Sequence, residues 1–219
     1  MSPFRCLSGV SWIALTVVAL GVSGCRSSYY AAWEKLGYHK RDILKERVVE
    51  ARNEQAAASD QFKDALTKLR EVYSFEGGSL DRSYRQLQAE FDKAQARAEA
   101  VRRRIRSMET VAGDLFKEWE REIGEIGNPS MAASSRSQLE QTRARYSEMS
   151  AALVRAEASM APVLAQFRDY TLFLKHNLNA QAIASLKGEA LSIETEIAAL
   201  IAEMNASIER ADAFVREFQ

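Results

Sequence analysis

Proline, glycine, histidine and cysteine are all scarce in this sequence, and each scarcity removes a possibility. Three prolines and ten glycines in 219 residues leave few obligatory turns, so long uninterrupted elements are expected. The two histidines, His39 and His176, are far apart, and neither has a Glu three residues before it. The inward-facing Glu-x-x-His pairs that hold di-iron centres in helical bundles are therefore missing, and neither a metal nor a cofactor is expected. Two cysteines, Cys6 and Cys25, are too few for a disulfide framework. Charge of one sign is lacking as well: 30 basic side chains face 30 acidic ones, without the basic excess that tracks nucleic-acid phosphates.

The N-terminus differs from the remainder. Arg5 is the only charged residue before Arg26, and a mostly apolar run covers 12–20. That run is too short to span a bilayer, which takes roughly 20 apolar residues. A weakly basic start, a short apolar run and then small residues form the layout of a secretory signal. The stretch Val22, Ser23, Gly24, Cys25 resembles the lipobox of bacterial lipoproteins. The resemblance implies that Cys25 receives diacylglycerol and that cleavage before it removes residues 1–24. Residues 25–28 then form a lipidated N-terminus and short tether, and 29–219 form the folded body. Several acyl chains on one cysteine suffice for stable anchoring, at about 0.8 kcal/mol per buried methylene. Cys6 leaves with the signal and Cys25 becomes a thioether, so the processed chain has no free thiol. Its side chains count 29 basic against 30 acidic, a net charge of −1. Arg26 stands where an Asp would resemble the inner-membrane retention signal, so the periplasmic face of the outer membrane is expected.

The body carries one dominant pattern. Leu44, Val48, Ala51, Gln55, Ala58, Phe62, Ala65, Leu69 and Val72 alternate spacings of four and three, and only Gln55 among them is polar. Three further runs behave alike: Leu80 through Leu87, Phe91, Val101 and Met108 to Trp119; Leu139 through Tyr146, Leu153 and Phe167 to Leu174; Ile183 through Ile193, Leu200 and Phe214 to Phe218. Such spacing keeps a single apolar seam on a supercoiled helix. Gly77 and Gly78, then Gly127, Asn128 and Pro129, then His176, Asn177 and Asn179 punctuate the runs with helix-ending and helix-capping residues. The sequence predicts helices near 29–74, 80–126, 129–175 and 179–218, each about 60–70 Å long at ~1.5 Å per residue. Short connections make successive helices antiparallel, so the fold class is all-α: a coiled-coil four-helix bundle or paired helical hairpins. Pro162 lies inside the third helix and predicts a kink or restart near Met160.

Several stretches resemble a bacterial family of coiled-coil lipoproteins known only as a domain of unknown function. They are 30–37 around Trp33, 40–44 with Arg47 and Val48, 75–78, 158–164 around Pro162, and 174–180 running into 183–186. The resemblance implies no activity, ligand or site residue.

Catalytic chemistry finds no support either. Acidic pairs such as Glu118 with Glu122 lie on helical flanks, and Gly77-Gly78 lacks the strand–loop–helix setting of a phosphate cradle. The run Arg102, Arg103, Arg104 with Arg106 straddles the seam residues Val101 and Ile105, so its side chains point several ways and suit a paired or solvated face. With Cys25 at the membrane, the topology sends the 75–79 and 175–179 loops to the far tip. Tyr73, Phe75, Phe173, Lys175 and His176 gather there as a candidate partner-binding surface, while Trp33, Trp119, Phe214 and Phe218 gather at the base. Trp119, in register with Leu115, reads as a plug of the core in preference to an interfacial belt. The expectation is a non-enzymatic structural or adaptor lipoprotein of the cell envelope. Its partners are the membrane, through the anchor, and an envelope protein or cell-wall polymer; a homo-oligomer is compatible with the pattern, and nucleic acid is not expected. The alternative is an oligomerising, membrane-remodelling or chaperone-like coiled coil.

Overall fold

The computed structural model describes residues 40–74, 80–177 and 179–218, apart from the side chains of 180 and 182–190. Cys25 and the boundaries at 24 and 28 lie outside the described residues, as do Trp33, His39 and Phe75. The chain divides into two compact units, Met1–Ile43 and Leu44–Gln219, and the bundle is the second.

Among the described residues five helical segments follow one another: α1 Lys40–Tyr73, α2 Leu80–Glu125, α3 Pro129–Ala158, α4 Met160–His176 and α5 Ala180–Glu217. No strand occurs among the described residues. α3 and α4 are two parts of one bent helix. Pro162 has no N–H to offer the Ala158 carbonyl four residues earlier, and the helix breaks at Ser159 between them. The kink expected near Met160 is therefore present. The predicted start of α3 also holds: Asn128 caps it, its side-chain oxygen accepting from the amides of Ser130 and Met131 at 3.0 and 3.2 Å, with Pro129 in the first turn. Such a cap is worth about 1 kcal/mol.

The seams face inward. All nine seam residues from Leu44 to Val72 are buried, and so are Leu87 to Leu115 on α2, Met149 to Leu174 on α3 and α4, and Ile193 to Phe214 on α5 wherever the spacing places an apolar side chain. The off-seam positions Ile201, Ile208 and Val215 of α5 are half-buried, so the wider stripe there is spent largely within the chain.

Charge pairs reveal which helices are neighbours. Between α1 and α2, Arg104 meets Glu50 at 3.1 Å, Arg97 meets Glu54 at 2.9 Å, and Gln61 donates to Glu90 at 2.6 Å. Between α1 and α5, both Nε and Nη2 of Arg52 lie 3.0 Å from the Asp212 carboxylate, and Arg70 meets Glu194 at 2.9 Å. Arg102 reaches Glu157 at 2.7 Å from α2 to α3, and Arg145 reaches Glu217 at 3.3 Å from α3 to α5. With Glu120–Arg143 added for α2 and α3 and Gln166–Glu196 for the bent helix and α5, one number falls as the other rises in each pair, so each neighbour is antiparallel. The bundle is a closed up-down-up-down square: α1 beside α2 and α5, with the bent helix between α2 and α5 on the other side. Exposed ion pairs contribute only about 0–1 kcal/mol each, so they select neighbours more than they stabilise.

Candidate partner-binding surface at one end of the bundle

The C-terminus of α4 builds the surface. Its last turn carries the basic residues Lys175 and His176, of which the Lys175 cation suits the negative end of the helix dipole. Asn177 ends the helix, its backbone N–H bonded to the Leu174 carbonyl at 3.2 Å and its side-chain amide donating to the Phe173 carbonyl at 2.9 Å. Those bonds hold the final turn in shape while the side chains of Phe173, Lys175 and His176 are exposed.

The candidate residues separate by burial. Tyr73, the last residue of α1, is only 8% exposed and meets Tyr170 edge-on, ring centroids 6.4 Å apart. It is turned into the bundle and closes its core. Phe173 lies one position before the buried Leu174 and is 38% exposed. Phe75 is outside the described residues.

Two exposed leucines join this region without having been singled out by the seam. Leu172 is 46% exposed and Leu191 is 68% exposed. Ser159 donates to Glu203 at 2.6 Å and Gln166 donates to Glu196 at 2.6 Å, which sets the antiparallel register of α4 with α5 and brings Leu172 level with Leu191. The signal was present in the sequence as apolar residues lying off the four-three spacing. Between α4 and α5 at this height a shallow groove of about 260 Å3 is lined by Gln166, Asp169, Tyr170 and Ser192. Its amide, carboxylate and hydroxyl groups can hydrogen-bond a polar segment, while the leucines and Phe173 offer apolar contact. No group of three metal-ligating side chains able to hold an ion occurs among the described residues.

The opposite end is built otherwise. Phe214 stacks on Phe218 at 4.9 Å, Tyr146 meets Phe214 at 6.0 Å, and Phe116 meets Tyr146 at 5.5 Å. Arg143 lies over the Phe116 ring at 5.6 Å, with one guanidinium nitrogen donating to the Phe116 carbonyl at 3.2 Å and to Glu120 at 2.8 Å. That bond and the Arg143 charge hold the Glu120 carboxyl below its usual range. Burial pushes the Tyr146 hydroxyl up to about 12, and the charge of Glu109 adds to the shift; the nearby Ser150 hydroxyl works against it but forms no well-directed hydrogen bond. Trp119 is half-buried, its indole N–H donating to Ser135 at 2.9 Å across the α2–α3 pair. Of the arginine run, Arg102 and Arg104 are tied to Glu157 and Glu50 on two different neighbours, and all four arginines are exposed.

No helix among the described residues is long and apolar enough to cross a membrane. The sequence model of one family, described as protein of unknown function (DUF2959), matches residues 29–218. None of the curated proteins matches the chain.

Proposed function

The chain belongs to that family of proteins of unknown function, and from this premise we propose that it is a lipid-anchored, non-enzymatic spacer or adaptor of the bacterial cell envelope. Cys25 fixes it to the periplasmic face of the outer membrane, and its far end engages an envelope protein or cell-wall polymer. One observation carries the reading: the heptad seams are closed by helices of the same chain, with Leu44, Leu87, Leu153 and Ile193 all fully buried. A closed bundle needs no further helix to complete its core. Its α2 alone has 46 residues, about 70 Å of stiff helix to hold an end away from an anchor. The lipobox at 22–25 supports the anchor, and the exposed Phe173, Lys175 and His176 support contact at the end remote from it.

Two measurements test it together. Metabolic labelling with a palmitate analogue should mark the wild type and not Cys25→Ser, which should leave the membrane fraction. A photocrosslinker placed at Phe173 should capture a defined envelope component in intact cells, whereas one at Met131 should not. Equal labelling of both chains removes the anchor; identical capture from both positions removes the working end.

The oligomerising alternative draws on the exposed Leu172, Phe173 and Leu191, which a second copy could cover. Sedimentation over a hundredfold concentration range separates the readings: the adaptor stays monomeric, and the alternative requires self-association that Leu191→Glu abolishes.

A further inference from the structure

Midway along α1 the apolar seam is interrupted. Gln55 is fully buried and Ser59, one turn later on the same face, is 1% exposed. Both lie among small side chains: Ala51 and Ala58 on α1, and Ala94 and Ala98 at the corresponding height of α2, are buried. On α5, Ser207 is likewise buried and stands opposite Gln55. The Gln55 side-chain N–H donates to the Ser207 hydroxyl at 3.3 Å, and Ser207 gives its own proton to the Met204 carbonyl at 2.7 Å. These two bonds fix the orientation of the amide. Turned over, Gln55 would present its oxygen to a hydroxyl whose single proton is already committed and would lose the bond to Ser207. The amide oxygen therefore points elsewhere, and it has no hydrogen-bond partner among the protein atoms; neither has the hydroxyl of Ser59.

Buried amide oxygens and hydroxyls are almost always hydrogen-bonded, and where protein supplies no partner, water with two to four polar contacts does. We propose that Gln55 and Ser59 form an internal binding site for one water molecule, held between α1 and α5. The water donates to the Gln55 amide oxygen and accepts from the Ser59 hydroxyl, leaving its second proton for a backbone carbonyl. The site pins the helices in register, because a shift of one turn of α5 against α1 would carry Ser207 away from Gln55 and leave the amide wholly unpaired.

A double-mutant cycle on the full chain, purified in detergent, tests the site through the sign of its effects. If one water links the two groups, Gln55→Met strands Ser59, Ser59→Ala strands Gln55, and each lowers Tm by roughly 2–4 °C. The double variant removes both groups and should return to within about 1 °C of the parent or above it. Additive increases in Tm from the two single variants would mean two independent, unhydrated groups and would overturn the proposal. A direct Ser59–Gln55 hydrogen bond would also couple the variants, so magnetisation transfer from water to the Gln55 side-chain amide decides between them. A long-lived cross-peak in the parent that disappears in Ser59→Ala supports the water, and coupling without any such cross-peak refutes it.

Discussion

The two ends of the bundle spend their aromatic residues in opposite ways. Where α5 ends, Phe116, Tyr146, Phe214 and Phe218 interlock ring against ring, and Arg143 covers Phe116. Where α1 and α4 end, Tyr73 and Tyr170 meet in the core, while Phe173, Leu172 and Leu191 are exposed. One end is sealed by its own side chains and the other retains apolar surface. Folding stability should therefore be sensitive to substitution at the first end, and recognition at the second.

The largest expected effect comes from the sealed end. Phe214→Ala removes a 5% exposed ring that touches both Tyr146 and Phe218, and should cost about 3–5 kcal/mol in denaturant unfolding. A loss below about 1 kcal/mol would mean that the cluster is loose and the contrast between the ends unreal.

Alkali should strike the same end next. Tyr146 ionises near 10 when unfolded and about 12 when folded, because burial disfavours the phenolate. A group whose folded pKa is raised contributes its full share of stability below pH 10 and loses it as pH climbs through 12. The sealed end should thus give up about 2 kcal/mol across that window. Tyr146→Phe should flatten the pH dependence of Tm between 10 and 12 and remove one late-titrating tyrosine from the absorbance profile.

Asn128→Ala is expected to cost about 1 kcal/mol through loss of the cap on α3, an effect separate from ring packing. The smallest effect belongs to the open end. Exchanging Phe173, Lys175 and His176 together for Ala should change stability by less than about 0.5 kcal/mol, since all three are exposed. The same variant should lose the crosslinked partner and fail to complement a deletion strain at normal abundance. Complementation by this variant would return the open end to mere surface.

Most of the fold was legible before any coordinates. The four-three spacing named the buried face of each helix because a helix repeats every ~3.6 residues whatever lies beside it, and residues three and four apart share a face. Pro162 announced the break at Ser159 for an equally local reason, a missing donor. Asn128 and Pro129 announced the start of α3. The candidate surface was legible only in part. Tyr73 and Phe173 are both aromatic residues at a helix end, and nothing in their neighbourhood of sequence separates them. Tyr73 is inside because Tyr170, nearly a hundred residues later, supplies a ring to pack against. Leu172 and Leu191 are apolar residues off the seam that the sequence reading passed over, and their common height depends on the α4–α5 register.

The amino-acid sequence by itself determined the helices, their inward faces, the bend and the polar interruption at Gln55, since all of these follow from periodicity and backbone chemistry within one segment. Only the tertiary structure decided the order of neighbours around the square. It also decided the burial of Tyr73, the stacking of the Phe214 cluster and the lack of a protein partner for the Gln55 oxygen. Those depend on side chains brought together from α1 and α5, from α1 and α4, or from α2, α3 and α5, across separations such as 55 to 207, where no local rule of the chain operates and the balance is struck by packing and by pairing of buried polar groups.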